Sequence, residues 1–369
     1  MTKEKQSNFE LMRIISMFLI IIHHIILHGN VIYNTSGSIH LIIMLIRCIA
    51  FVHVNSFILL TGYFQYKKEF SLKKFLSIFN ASYFYNLLIL IIFIIFGLSN
   101  IEKLDVLKTL NPFYMSHWFI SCYLILYILS PFINILIKNM SQKNHRKLIL
   151  LLILCYSIIS FLSEQTMAEN SGYSVIQFIM LYIIGAYLSK YPINQNLHFK
   201  NYSKNKLQVL LFSGIFVFAF INFILYCLSR TFEDQNNLFF NYLGTLIANN
   251  YHEYNFLPVI IQSVLYFLWF GTLNIQNKII NKISSLVFGI YIIHDNPFIR
   301  GHIYKWFRID SNTAIYSKKI FIKIFIVAFL IFIICAIIEF LRQLLFKFIK
   351  KRKLYIKFSS KFNNYINEL

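Results

Sequence analysis

The chain has 369 residues, of which 58% are hydrophobic, 18% aromatic and only 13% charged, and its mean hydropathy is +0.62. Because a soluble domain of this length could not bury so much apolar surface, the composition excludes a soluble globular protein. The formal charge of +21 does not indicate a nucleic-acid partner, since the basic residues lie in short segments between apolar runs.

Apolar runs long enough to cross a bilayer as helices recur along the whole chain. The predicted spans are residues 11–28, 40–65, 75–98, 115–137, 148–163, 173–189, 207–229, 255–272, 285–299 and 318–341. The prediction is therefore an all-α, polytopic integral membrane protein with about ten transmembrane helices. Lysine and arginine concentrate in alternate connecting segments, which predicts that both termini are cytoplasmic. Residues 1–341 form one membrane domain in this prediction, and 342–369 form a basic cytoplasmic tail.

Arg13 and His24 lie eleven residues apart in the first span, so a helix places both on one face. His24 would then lie about 16 Å deeper than Arg13. Ionisable residues at such depths are costly and indicate function. Two alternatives stay open, because His24 could be a core histidine bonded to a neighbouring helix and Arg13 a snorkelling topology anchor. His23 points about 100° away and is expected to be a packing neighbour.

His24 and His28 have the i, i+4 spacing of a helical metal site. The same helix offers no carboxylate other than Glu10, and zinc sites use three or four protein ligands. We therefore predict no metal.

Four motifs follow one another along the chain. The first is the Arg13 and His24 pair. The others are Asn55 to Phe64, closing on Thr61-Gly62-Tyr63-Phe64, then His117 to Asn134, and finally Ser285 to His294. These motifs and their order resemble the acyltransferase family 3 proteins, most like the polysaccharide O-acetyltransferases of Gram-positive bacteria.

The resemblance implies an O-acyltransferase that moves acetyl from acetyl-CoA to a hydroxyl of a cell-surface or lipid-linked polysaccharide. The acceptor would be capsule, exopolysaccharide or another cell-wall polymer, and the enzyme a multi-pass protein of a bacterial plasma membrane in contact with its lipids. His24 would be catalytic, since a histidine can act as a base near neutral pH. Arg13 would belong to the catalytic site and would also bind donor phosphates. Whether His24 acts as a base or carries the acyl group is left open.

Further residues are predicted to bind substrate or donor. Arg47 lies inside the second span, where it would orient an acceptor, stabilise an oxyanion or snorkel outward. Tyr291, His294 and Asp295 share a helix face and would meet an acceptor at the outer side, unless they belong to an interfacial aromatic girdle. Trp118 belongs to a matching motif and would also contact substrate. The lysines that would add charge for coenzyme A, or simply reflect the positive-inside bias, are Lys67, Lys68, Lys73 and Lys74.

Two other functions compete with the acyltransferase. A transporter or flippase for a lipid-linked glycan would use the intramembrane Arg and His for substrate or protons, and it predicts inverted repeats and broken helices. Neither is evident in the sequence. A non-catalytic scaffold of polysaccharide assembly predicts that loss of His24 would leave function intact.

Overall fold

The computed structural model describes residues 6–163, 170–192, 202–233, 237–309 and 319–350, and these residues contain helices but no β-strand. Seven helical segments are long and apolar enough to cross a membrane: Ser7–His28, Gly37–Gln65, Leu72–Phe96, Trp118–Asn139, Gln142–Ser163, Lys204–Glu233 and Lys319–Phe348. Two shorter apolar helices are Val175–Lys190 and Leu257–Thr272. The prediction of an all-α polytopic membrane protein is confirmed.

The described α-helices are numbered in chain order. They are α1 (Ser7–His28), α2 (Val31–Asn34), α3 (Gly37–Ala50), α4 (Val52–Gln65), α5 (Leu72–Phe96), α6 (Lys103–Leu110), α7 (Trp118–Asn139), α8 (Gln142–Ile153), α9 (Ser160–Ser163), α10 (Val175–Lys190), α11 (Lys204–Glu233), α12 (Leu238–Asn250), α13 (Leu257–Thr272), α14 (Lys278–Ser284), α15 (Val287–His294), α16 (Pro297–Trp306) and α17 (Lys319–Lys350). A π-helical stretch, Leu154–Ile159, joins α8 to α9, and a short 3₁₀ turn, Asn170–Gly172, precedes α10.

Several helices begin where the sequence supplies a side-chain cap. Ser71 accepts a hydrogen bond from the Lys74 backbone N–H at the start of α5, and Ser174 does the same for Gln177 in α10. Such caps satisfy backbone donors that have no partner inside the helix.

Two of the predicted spans are broken helices. The span predicted at 40–65 consists of α3 and α4, which meet at the buried residue Phe51. The span predicted at 285–299 is wrong as a single helix, because α15 ends at His294 and α16 begins at Pro297. Proline cannot supply the backbone N–H that would continue α15, and Asn296 instead caps α16 by accepting from the Phe298 N–H.

The last helix continues beyond the predicted end of the membrane domain. α17 extends without interruption through Leu341 and Arg342 to Lys350, so the boundary placed at 341 lies inside a helix. Arg342 donates two hydrogen bonds to the buried Glu339 carboxylate, which also accepts from the Tyr85 hydroxyl at 2.6 Å. The predicted tail from residue 351 onward lies outside the described residues.

α1 is the central helix of the bundle, packed against α3, α4, α13, α14, α15, α16 and α17. Three glycines let neighbouring helices approach closely, and two of them, Gly62 and Gly289, belong to the motifs. A Cβ added to Gly62 would overlap the Tyr182 carbonyl oxygen, and one added to Gly185 would overlap that of Leu59, which makes α4 and α10 a close crossing. A Cβ on Gly289 would overlap the Glu339 side chain.

Candidate active site

A pocket of about 340 Å³ lies along one face of α1, a volume within the range of ligand sites. Arg13, Met17, Ile20 and His24 line it and follow the i, i+4, i+7 and i+11 positions of a single helix face. The structure therefore brings Arg13 and His24 to opposite ends of the same pocket. Apolar side chains of α4 and α15 line its middle, including Phe57.

At the deep end of the pocket, hydrogen bonds define the tautomer of His24. His294 Nδ1 lies 2.7 Å from the Ile290 carbonyl oxygen, which can only accept, so this nitrogen donates. In the neutral His294 ring, Nε2 is then the acceptor, and His24 Nδ1 donates to it across 3.1 Å. No hydrogen bond from a described residue reaches His24 Nε2, which keeps its lone pair.

A buried carboxylate accompanies this pair of histidines. Asp295 Oδ1 lies 3.5 Å from His24 Nδ1 and 3.5 Å from Arg300 Nε. These distances make it an electrostatic partner of both groups and not a good hydrogen-bond acceptor for either. The negative charge is placed to stabilise an imidazolium on His24. Tyr291 also lines the pocket.

A hydrogen-bond network holds the break between α15 and α16. The Asn296 side chain donates to Asn86 Oδ1 at 3.1 Å, and the Ser116 hydroxyl donates to the same oxygen at 3.0 Å. His117 Nδ1 lies 2.9 Å from that hydroxyl. Asn296, the neighbour of Asp295, is thus held by α5 and by the residues that precede α7. Tyr291, His294 and Asp295, which share a predicted helix face, lie beside His24.

The other end of the pocket carries two cations. Arg13 Nη1 lies 3.3 Å from Glu10 Oε2, and the Ser284 hydroxyl donates to the same carboxylate. Lys74 Nζ donates to Gln65 Oε1 at 3.2 Å. Both cationic side chains line the pocket, with Arg13 only partly buried.

Of the four lysines predicted to bind the donor, only Lys74 is among the residues that line this pocket. Lys67, Lys68 and Lys73 are exposed. Lys67 and Lys68 lie in the connection between α4 and α5, and Lys73 lies on α5 about 100° around the helix from Lys74.

An aromatic wall closes the His24 end. Trp118 lines the pocket, and its ring centroid lies 4.6 Å from that of Tyr173 and 6.0 Å from that of Tyr254. Its contact with substrate stays a prediction. Asn55 and Gln177 both donate to the Tyr254 backbone carbonyl at 3.0 Å. Tyr254 was not singled out in the sequence, since it lies in a loop with no motif.

Arg47 does not line the pocket. It lies behind it with 6% of its surface exposed, and its guanidinium carbon is 5.3 Å from the centroid of the Phe51 ring. Outward snorkelling does not fit this burial. His23, expected to be a packing neighbour, contacts the rings of Phe51 and His53, each at a centroid distance of 5.1 Å.

One group of side chains has the composition of a metal site. His24, His28 and Asp295 each offer a ligand atom, and these atoms lie within 4.8 Å of one another. The carboxylate that α1 lacks is therefore supplied by another part of the chain. Two of the ligand atoms are already engaged, however, because His24 Nδ1 donates to His294 and Asp295 faces the Arg300 cation. These contacts disfavour a metal ion there.

The loop between α12 and α13 contains a second pair of titratable groups, both missed in the sequence because they belong to no motif. His252 Nε2 lies 3.1 Å from Glu253 Oε1. Burial raises the pKa of Glu253 to about 8, and burial together with the nearby Arg47 cation lowers the pKa of His252 to about 4. At pH 7 these pKa values favour the uncharged form of both groups.

The fold and the site define a polytopic membrane protein with an intramembrane histidine pocket suited to group transfer. A family model described as an acyltransferase domain matches residues 6–340, which is nearly the whole chain. The chain therefore belongs to acyltransferase family 3 and is a membrane acyltransferase, which confirms the resemblance found in its motifs. A search of curated proteins and a search of solved structures each find no match.

Proposed function

We propose that this acyltransferase transfers acetyl from acetyl-CoA to a hydroxyl of a cell-surface or lipid-linked polysaccharide in a bacterial plasma membrane. One observation carries the proposal. A single pocket joins a cationic end at Arg13 to a histidine, His24, whose Nε2 has no partner among the described residues.

The Arg13 end is suited to the donor. With this end cytoplasmic, as the basic segments predict, Arg13 and Lys74 would bind the phosphates of acetyl-CoA. The apolar middle of the pocket, lined by Met17, Ile20 and Phe57, accommodates an extended thiol arm. The thioester would then lie near His24.

His24 would act as a general base. Its Nε2 accepts the proton of the acceptor hydroxyl while the hydroxyl oxygen attacks the thioester carbonyl carbon. The carbon–sulfur bond then breaks, and the leaving thiolate takes the proton back from His24, so that the products are an O-acetyl ester and free coenzyme A. Asp295 would stabilise the transient imidazolium, a role that requires no proton transfer to the carboxylate.

The transporter alternative predicts broken helices, and the structure contains two interrupted spans. Here the break at α15 and α16 brings Asp295 to His24, and the break at Phe51 brings Arg47 and His53 behind His23. Both breaks place polar groups around the histidine that group transfer would use. We therefore favour the acyltransferase over the transporter.

The test is the O-acetyl content of surface polysaccharide, measured by NMR in a deletion strain that carries wild type, His24→Asn or His302→Asn. Asparagine at position 24 keeps a donor toward His294 but removes the base. His302 is a matched control, because it also bonds through Nδ1, to the Phe298 carbonyl at 2.9 Å, and does not line the pocket.

We expect wild type and His302→Asn to restore acetylation and an equally expressed His24→Asn to reduce it by about 100- to 10,000-fold. Full restoration by His24→Asn would contradict the catalytic role and favour the scaffold. A fall in exported polymer with unchanged acetyl content per sugar would favour the transporter.

A further inference from the structure

A second cluster of polar side chains, most of them buried, lies behind His24. We call it the Arg47 chamber, and its members are His23, Arg47, His53, Tyr251, His252 and Glu253. Arg47 interacts electrostatically with the other five members. The acyl-transfer steps described above use none of these residues.

The break between α3 and α4 builds this chamber. Phe51, at the break, has His23 and the Arg47 guanidinium against its ring. Just before the break, the Cys48 carbonyl accepts a hydrogen bond from the Gln262 side chain at 3.2 Å, so α13 is tied to the junction of α3 and α4. The chamber is therefore braced by another helix and is a built feature of the fold.

Many polar atoms of the chamber are buried without a hydrogen-bond partner. They are His23 Nδ1, Arg47 Nε, both ring nitrogens of His53, His252 Nδ1 and Glu253 Oε2. Buried polar groups in proteins are nearly always paired, because an unpaired one loses its hydration without compensation. So many unpaired atoms at one place indicate an occupant that carries hydrogen-bonding groups.

The charge of the chamber specifies the kind of occupant. Arg47 is always ionised, and across the described ranges of the chain no carboxylate oxygen lies within 4 Å of its side-chain nitrogens. His252 and Glu253 form a neutral pair at pH 7. A buried cation without a counter-ion is strongly destabilising. An oxyanion would compensate it and would match the two parallel N–H donors of the guanidinium.

The chamber is close to the reacting groups. The rings of His23 and His24 have centroids 6.0 Å apart, and those of His23 and His53 are 5.1 Å apart. His53 also contacts Tyr254, which lines the pocket. A sugar that places one hydroxyl at His24 would therefore bring a neighbouring substituent toward Arg47.

We propose that the Arg47 chamber binds a carboxylate or phosphate group of the acceptor, so that this acyltransferase selects anionic glycans over neutral ones. The inference rests on the proposed function only where it identifies the ligand as the acceptor. The anion site itself is argued from the geometry of Arg47 and its unpaired neighbours.

The experiment measures the unfolding temperature of the full-length protein in nanodiscs of uncharged lipid, without any donor. The probes are two matched pairs, glucuronate with glucose and glycerol phosphate with glycerol. We expect only the anionic member of a pair to raise the unfolding temperature. The pair that responds distinguishes a carboxylate from a phosphate. Equal responses to glucuronate and glucose, and to glycerol phosphate and glycerol, would overturn the inference.

Variants assign any response to the chamber. We expect Arg47→Gln to weaken anion binding by at least about tenfold and Arg230→Gln, an exposed arginine beside Glu233, to leave it unchanged. Arg47→Lys keeps the positive charge but loses the two parallel N–H donors of the guanidinium, so we expect an intermediate affinity for the anion. It replaces Arg47→Gln as the test variant if Arg47→Gln does not fold. An affinity unchanged in every Arg47 variant that folds would overturn the inference.

Two further arms separate the inference from the proposed function. His24→Asn should bind the anion as wild type does, even though acetyl transfer is lost. If acetyl-CoA proves not to be a donor while anion binding still requires Arg47, the proposed function fails and the anion site stands. If nanodiscs of anionic phosphatidylglycerol abolish the response to added anions, a lipid headgroup occupies the chamber and the acceptor assignment is overturned.

Discussion

The pocket along α1 and the Arg47 chamber adjoin at His23 and His24, but their polar groups are satisfied to different extents. At the two ends of the pocket, His24 is held by His294 and Arg13 by Glu10, while His24 Nε2 and Asp295 Oδ1 have no hydrogen-bond partner among the described residues. In the chamber, six side-chain nitrogen and oxygen atoms are buried without a partner. The pocket and the chamber thus differ in how many of their polar side chains form hydrogen bonds within the protein.

The difference teaches how each region works. A reacting group needs a fixed tautomer and orientation before substrate arrives, and bonds within the protein provide them. A binding site gains affinity when the ligand supplies bonds that the protein leaves unmade. The pocket has the first property and the chamber has the second. α4 connects them, since Phe57 and Thr61 line the pocket while His53 belongs to the chamber.

The largest expected effect comes from a substitution that destabilises the fold and so disrupts both the pocket and the chamber. Gly62→Ala places a Cβ against the Tyr182 carbonyl at the crossing of α4 and α10, where backbone cannot give way easily. We expect a loss of about 3 kcal/mol or more in the free energy of unfolding. Gly301→Ala is the control, because no atom lies within 4 Å of its added Cβ. Equal yields and unfolding temperatures for the two purified variants would contradict the packing argument.

A smaller effect should fall on the pocket alone. His294→Phe keeps a ring but removes the acceptor for His24 Nδ1, so we expect kcat to fall about 10- to 100-fold with the KM for acetyl-CoA nearly unchanged. The pH profile of kcat should also shift, because the environment of the base changes. His294→Gln offers an oxygen acceptor and should restore part of the rate. A fall without a change in pH profile would indicate only altered packing.

A substitution at the donor end of the pocket should weaken the binding of acetyl-CoA. Arg13→Gln removes a cation from the proposed phosphate site, and we expect the KM for acetyl-CoA to rise about tenfold. Acetyl-pantetheine, which lacks the nucleotide, should be affected much less. Lys73→Gln is the control, since Lys73 is exposed and is not among the lining residues. Comparable losses for Arg13→Gln and Lys73→Gln would point to a general surface-charge effect.

The smallest effect concerns the neutral pair in the chamber. Because burial raises the pKa of Glu253 to about 8, the folded protein retains a proton that the unfolded chain releases near its usual pKa. Wild-type stability should therefore fall as pH rises from 6 to 8. Glu253→Gln cannot ionise and should lose less. The unfolding temperatures of the two proteins at pH 6 and pH 8 measure this, and parallel changes would show that Glu253 does not titrate as described.

Much of the candidate site was predictable because its residues follow helix periodicity. Arg13 and His24 share a face whatever surrounds α1, so their common pocket follows from spacing alone. Tyr291, His294 and Asp295 were identified through their motif and spacing. Their contact with His24 was not predicted, because it joins two segments about 270 residues apart in the chain, and their place on the outer side stays a prediction.

Other residues gave no local signal. His53, Glu253 and Tyr254 belong to no periodic pattern of charge, and their importance depends on contacts between segments far apart in the chain. The prediction of no metal depended on α1 alone, which offers no carboxylate near His24 and His28. The carboxylate beside these two histidines belongs to Asp295, about 270 residues further along the chain.

By itself, the sequence determined the class of this protein, because apolar composition and run length leave only a helical membrane bundle as a way to satisfy the backbone. It also determined the Arg13 and His24 face and the family, through residues close together in the chain. Only the tertiary structure decided which helices break, which nitrogen of His24 is free and where Arg47 lies. Those properties depend on which distant side chains complete, or fail to complete, each hydrogen bond.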